Sequence, residues 1–403
     1  MATVRPLRGL RFDAARVGDV GSVIAPPYDV IAPVQQDTLY ARSPHNVVRL
    51  ILPRESDRAA SAARTLEEWV RSGILVRDGA PAVYRYAQIF TLADGSPRRR
   101  EGIICRLVLE DFARGVVRPH ERTLPGPKAD RLAILRATGA YLSPIFGLYA
   151  GGAKGLDEVL GPEGTAPPVV DVRDGDAQGH ALWCITAPDA IARVAEALAP
   201  RTIVIADGHH RYETGLTYRR DGGPETILAF LADMESEGIV ILPTHRLVRP
   251  PLRLPAGSLE AALHASFAVE PLAGGAVPRP AGVIDVLLPD RRLRLRPGPT
   301  ARAAVERLSP PVRALDVAIL HAAILEPMLG VEATALDFTH EDEEAAVAVA
   351  NGHAAAAFLL NPPTIEQICA VCGAGELMPE KSTYFYPKVA TGLVLDLVGP
   401  RWL

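Results

Sequence analysis

The alternation of apolar and polar positions divides the chain into short strands and amphipathic helices. Arg58–Ser72 carries apolar residues at helical spacing and ends at Gly73, a glycine stop signal, which predicts a helix. Tyr84–Thr91 and Glu101–Leu109 alternate on either side of Asp94-Gly95 and predict an antiparallel hairpin. Val283–Leu288 and Arg292–Leu295 flank Pro289-Asp290 in the same way. Ala314–Leu329 is strongly apolar and predicts a buried helix. Thr339 with Asp342 resembles a capping box that opens a helix running to about Ala350. Ala355–Leu360 then reads as a buried strand and Ile365–Val371 as a further helix. Hairpins mixed with helices predict an α+β fold, with mixed sheets, packed helices and an α/β portion around residues 180–220.

Composition adds limits. The chain has 403 residues, 48% apolar and 22% charged, enough to bury large cores in two or three domains. Pro and Gly cluster at 151–168 and 272–282, the expected loops or seams. The expected organisation is an N-terminal α+β domain over 1–155, a middle portion over 156–270 and a C-terminal α+β portion over 271–403, able to pack as one unit. A net charge of −4 argues against a nucleic-acid or anionic-membrane partner, which wants a basic face. No apolar run approaches the ~18 residues that span a bilayer. The first residues start no secretory signal. The expected location is the cytoplasm. The chain has four cysteines, of which Cys369 and Cys372 form a CxxC in an apolar run, read as small hydrophobes on a helix.

The most informative stretch is Arg201–Thr214. Thr202–Ala206 is a β-branched strand candidate, Gly208 permits a tight turn with close ligand approach, and His209–Arg219 has helical character. The first amides of such a helix are unpaired and its dipole is positive there, so an anion is favoured. Arg211 adds a planar, bidentate phosphate donor. Asp207 at the strand end suits a metal ion or proton acceptance from a substrate hydroxyl. The structural alternative is a capped turn with surface histidines. A metal alternative pairs His209 or His210 with Glu213 at helical spacing.

Other polar clusters are weaker. Pro379–Lys388 places Lys381, Ser382, Thr383 and Lys388 near one another as phosphate or metal contacts, without Walker A spacing. His120 and Glu121, followed by Lys128 and Arg131, offer an anion or metal site or a solvated face ahead of the helix Leu132–Ala137. Pro26–Val30 is a stiff turn carrying Asp29. Asn46 with Arg49, and Thr244–Arg246 after the strand Gly238–Leu242, are lesser candidates for substrate contact. No GxSxG, HExxH or dinucleotide fingerprint is present.

Taken together, Pro26–Val30, Asn46–Leu50, His120–Thr123, Ala206–Thr214, Leu242–Arg246 and Met378–Lys388 resemble the bacterial and archaeal family called domain of unknown function 1015, over nearly the whole chain. The Asp207–Arg211 box is similar to the second box of the ParB/sulfiredoxin-like superfamily, where a Gly-x-x-Arg turn opens a helix on nucleotide phosphates. That superfamily includes kinases that phosphorylate free L-serine. The resemblance implies that 156–270 is a ParB/sulfiredoxin-like strand-turn-helix portion. It implies ATP or ADP held by Gly208, His209, His210 and Arg211 with Lys381, Ser382, Thr383 and Lys388, and Mg²⁺ on Asp207. Asp207, Glu121 and His209 would serve catalysis, and His120, Arg131, Asn46, Arg49 and His245 would contact the acceptor. The superfamily's upstream box should carry an acid on the preceding strand. Ala181–Thr186, read as that strand, has none, so Glu121 or Asp29 would supply it. The expected activity is phosphoryl transfer to a small hydroxylated metabolite, L-serine among the candidates. The alternatives are a non-catalytic nucleotide-binding regulator and a metal-dependent hydrolase using His209, His210 and Glu213. A homodimer stays open.

Overall fold

The computed structural model describes residues 1–122, 126–152, 156, 167–251, 256–272, 278–331 and 336–402. Thr123, the side chain of Lys128 and parts of the stretches 151–168 and 272–282 lie outside the described residues. The chain forms two compact units. The first comprises Met1–Pro119, Thr123–Ile239 and Pro387–Leu403, and the second His120–Arg122 and Val240–Tyr386. The fold is α+β, as the mixture of hairpins and helices requires.

The first unit is built on a mixed sheet. Its strands are β1 (Val4–Arg5), β2 (Val83–Thr91), β3 (Pro97–Val108), β4 (Val117–Arg118), β5 (Ile145–Tyr149), β6 (Val170–Arg173), β7 (Gly179–Ile185), β8 (Ile203–Asp207) and β9 (Thr226–Asp233). They lie in the order β4-β8-β5-β9-β3-β2-β7-β6, with β1 also on β3. The hairpin β2–β3 pairs Tyr84 with Ile104 through to Thr91 with Pro97. β9 is buried from Thr226 to Ala232, a continuous apolar run between two neighbours, as strands covered on both faces require. Phe230 packs against Tyr86 at 5.3 Å and Phe146 at 5.4 Å between ring centroids, tying three strands into one core. Helices α1 (Arg58–Arg71), α2 (Gly126–Thr138) and α4 (His209–Arg220) pack in sequence, α1 on α2 and α2 on α4. Helix α3 (Pro188–Leu198) precedes β8.

The strand read over 181–186, preceding the central motif, is β7, and it pairs with β2 and β6. The parallel neighbour of β8 is β4, and β5 lies antiparallel on its other side. The chain crosses the sheet between β7 and β8, so the preceding strand in sequence is not the adjacent one in the sheet.

The second unit holds an antiparallel sheet of β11 (His245–Val248), β12 (Phe267–Pro271), β13 (Ile284–Leu288), β14 (Arg291–Pro297), β15 (Leu336–Thr339) and β16 (Ala356–Leu359), ordered β12-β14-β13-β16-β11-β15. β10 (Val240–Leu242) pairs separately with β17 (Tyr384–Tyr386). A core of Leu247, Leu287, Ala357 and Leu359 receives Ala345 and Val349 from α5 (Asp342–Ala350).

Two local expectations change. Thr339 ends β15 and does not cap α5. Its hydroxyl binds the Glu344 carboxylate, and Glu341 holds the cap position without a side-chain bond. The capping box instead opens α6 (Ile365–Gly373), where Thr364 and Gln367 bond reciprocally. The apolar stretch 314–329 divides into a short α-helix over Asp316–Leu320 and a π-helix over His321–Leu329. Pro327 lies inside the latter and cannot donate the backbone bond that an α-helix needs at that position. Cys369 and Cys372 lie on α6, the second of them buried.

Candidate functional site

The site grows from the end of β8. Ile203, Val204 and Ile205 are buried and β-branched, which fixes the strand. The register slips between Ile205, opposite Gly147, and Asp207, opposite Phe146. Such a bulge bends the strand and re-aims the residue beyond it, here Asp207. Gly208 follows with φ +90°, the left-handed region that a side chain resists, and caps α4 without any side-chain bond. The turn therefore brings backbone N–H groups and the positive end of α4 to the place where Asp207 stands.

Two cations converge on Asp207. Arg211, one helical turn along, binds carboxylate Oδ2 through Nη2 and the Pro144 carbonyl through Nη1. Lys388 donates from Nζ to Oδ1 at 2.6 Å. Burial alone would raise the Asp207 pKa, but the charges of Lys388 and Arg211 and the Lys388 hydrogen bond outweigh it and hold the carboxyl well below its ordinary range. With one carboxylate between two cations, the cluster keeps an excess positive charge at a helix N-terminus, which suits an anion.

Lys388 is placed by a backbone clamp. Gln88 and Arg100 face each other across the β2–β3 hairpin, and both are fully buried. Arg100 donates to the Pro387 carbonyl at 2.6 Å and also binds the Gln88 side chain, while Gln88 donates to the Lys388 carbonyl at 3.0 Å. Burial pulls the Arg100 pKa down to about 10, with Tyr86 and Asp207 opposing, so it stays charged at neutral pH. The guanidinium lies 4.8 Å from the centre of the Phe146 ring. Sequence reasoning missed this clamp, because Arg98-Arg99-Arg100 reads as a solvated basic run. The alternation of β3 was the available signal.

Beside Arg211 opens a cavity of about 60 Å³, lined in part by Tyr28, Arg131, Ser143 and Thr214. Arg131 stacks 4.0 Å over the Tyr28 ring and donates to the Ile51 carbonyl at 2.5 Å. Burial, then Asp29, pushes the Tyr28 phenol up to about 12, so it is a hydrogen-bond donor and not an ionised group. Asp29 itself is exposed. His209 is buried at the first position of α4, and His210 is half-buried beside it.

Other residues expected at the site have local partners of their own. Asn46 is fully buried, and its amide binds the carbonyls of Ser22 and Ile24 and the Val48 N–H, a structural tie. Arg49 lies over the Tyr40 ring and donates to the Tyr40 carbonyl. In the second unit, His120 Nε2 and Thr383 Oγ1 are 2.6 Å apart, and the Glu121 carboxylate accepts the Ser382 N–H at 3.3 Å. Ser382 is buried, and its hydroxyl donates to the Pro379 carbonyl at 2.5 Å. Lys381 is exposed, with φ +54°. His245 is buried with Nδ1 accepting the Leu360 N–H and Nε2 2.8 Å from Asp342. The structure thus gathers Asp207, Gly208, Arg211 and Lys388 in the first unit, and His120, Glu121, Ser382 and Thr383 in the second.

The surroundings of Asp207 do not suit a resident metal. Both carboxylate oxygens already bind cations, and a third cation would be repelled. Among the described residues no group of three His, Cys, Asp or Glu could hold an ion. No helix among the described residues is long and apolar enough to cross a membrane.

Fold and site define an α+β protein with a cationic strand-turn-helix at its first sheet. The chain belongs to the family described as Protein of unknown function (DUF1015), whose model matches residues 4–318. No curated protein matches it. Similar solved structures include a free serine kinase in complex with AMP, 14% identical, covering 69% of this chain and 89% of that chain with a TM-score of 0.36. A conserved hypothetical protein from Pyrococcus furiosus is 14% identical over 70% of this chain and 92% of its own, with a TM-score of 0.36. SbnI with a C-terminal truncation, from Staphylococcus aureus, is 12% identical over 70% and 84%, with a TM-score of 0.37.

Proposed function

We propose that the protein binds a nucleotide through the Asp207–Arg211 turn and transfers a phosphoryl group to a small hydroxylated metabolite, with free L-serine the first acceptor to test. One observation carries the reading: Arg211 and Lys388 share a single carboxylate at the N-terminus of α4, which no side chain caps. Phosphoryl transfer asks mainly for positioning and for positive charge on the phosphate oxygens. Arg211 offers a planar fork, Lys388 a point charge and the turn its backbone N–H groups.

Asp207 is a positioning residue in this proposal. A carboxylate held so far below its ordinary pKa is a weak base, but it fixes both cations before the anion arrives. Magnesium enters only as the ion carried by the nucleotide, and no step is routed through it. Glu121, expected from the sequence as the proton acceptor, is tested separately by Glu121→Gln.

The test is incubation with Mg-ATP or Mg-ADP and a panel of hydroxylated acceptors headed by L-serine, with phosphorylated product read by phosphorus NMR. Product that depends on Arg211 and Lys388 supports the proposal. Nucleotide binding without turnover on any acceptor favours a regulator. Neither binding nor turnover sinks both readings.

A further inference from the structure

The second unit contains a cavity of about 330 Å³ that the phosphate turn does not use. This volume suits a small metabolite. Its walls include Thr244, Arg246, Asp316, Asn361 and Ser382, with Leu315 and Leu360 among the apolar surfaces. Arg246 is 1% exposed, and Thr244 is 3% exposed. Buried charges are ordinarily paired. Arg246 has no carboxylate within ion-pair distance among the described residues; it donates to the carbonyls of Thr244, Glu380 and Lys381, and the charge of the more distant Glu121 only partly offsets its burial. Its Nε–H finds no acceptor, and neither does the Thr244 hydroxyl find a partner. Native structures rarely leave such groups unmatched without a reason.

The charge pattern narrows the ligand. Arg246 is the only cationic side chain in the cavity wall among the described residues. Asp316 stands in the same wall, its carboxyl raised by burial and held by the Asn361 amide at 3.0 Å. A group that accepts hydrogen bonds and carries negative charge would complete Arg246 and Thr244 together. The apolar part of the wall would cover a short carbon body.

We propose that this cavity is a binding site for a small molecule bearing one oxyanion group, a carboxylate or a phosphate, held by Arg246 and Thr244. The site lies wholly within the second unit, and the proposal is independent of the phosphoryl-transfer reading.

The test is calorimetric titration of the full chain with two probes, butyrate and inorganic phosphate. Thr244→Val keeps the side-chain shape and removes a buried hydroxyl without a partner, so it should not lower Tm. Saturable binding of one probe, one per chain, is expected, with affinity about tenfold weaker in Thr244→Val, as befits one lost hydrogen bond to a charged group. The probe that binds identifies the oxyanion. The binding should persist in Arg211→Ala, which separates it from phosphate at the Asp207–Arg211 turn. No saturable binding of either probe overturns the proposal. So does binding that Thr244→Val leaves unchanged, or that Arg211→Ala abolishes.

Discussion

Lys388 Nζ lies 2.6 Å from Asp207 Oδ1, although 181 residues separate the two. This pair fastens the C-terminal segment to the end of β8. It also sets the position of a cation that the sequence shows only as part of a lysine-bearing stretch. Lys388→Met removes one of the two cations on Asp207 and leaves Arg211 on the other carboxylate oxygen. It should therefore cost about 2 kcal/mol of stability, as for one lost hydrogen bond between charged groups. Chemical denaturation checks this. The loss in Asp207→Asn combined with Lys388→Met should be smaller than the sum of the two single losses, and additive losses would show that the pair is not coupled.

Gly208 is a second point of leverage. A Cβ there would sit 3.0 Å from the Arg211 guanidinium carbon, at a backbone φ of +90°. Gly208→Ala should cost about 1–2 kcal/mol from backbone strain. It should also displace Arg211 and weaken Mg-ADP binding. An unchanged Tm would mean that the turn relaxes into another conformation.

The acid limb of the stability curve should carry a histidine signature. Burial, followed by repulsion from Arg246, lowers the His321 pKa from 6.5 to about 4. The unfolded chain therefore takes up a proton that the folded chain refuses. Stability is intact above about pH 6.5, falls as pH drops toward 4, and loses no more to this group below that. The loss amounts to at most about 3 kcal/mol. Asp207 contributes in a separate window, since its lowered pKa keeps its stabilisation intact above 3.8. His321→Gln should flatten the slope between pH 6.5 and 4, measured by thermal unfolding at a series of pH values. An unaltered slope would assign the acid limb to other groups.

Much of the local structure was legible in the sequence. The strand before Asp207 and the helix after Gly208 were readable because β-branched residues, a glycine and helical spacing are local signals, and the β2–β3 hairpin was readable for the same reason. What stayed hidden depends on distant chain segments. The alternation of β3 places Arg100 on the inward face, but nothing local reveals that Arg100 holds the Pro387 carbonyl and Gln88 the Lys388 carbonyl. Thr339 and Thr364 each head an acceptable capping sequence, and only strand pairing decides that Thr339 belongs to β15. The apolar stretch 314–329 changes from α- to π-helix at His321, a switch of helix type that periodicity alone does not give. Asn46, read as a substrate contact, proves to be fully engaged by backbone, a use that polarity in a sequence does not distinguish from ligand binding.

In the proposed function the Asp207–Arg211 turn, completed by Lys388, holds a nucleotide phosphate. Titration of Mg-ADP into the wild-type chain and into Arg211→Ala, followed by calorimetry, tests it most directly. The expected result is saturable binding that weakens by about tenfold or more when the Arg211 fork is lost, as for a hydrogen bond between charged groups. Equal affinity of the two proteins for Mg-ADP, with Arg211→Ala shown to be folded, would contradict the account.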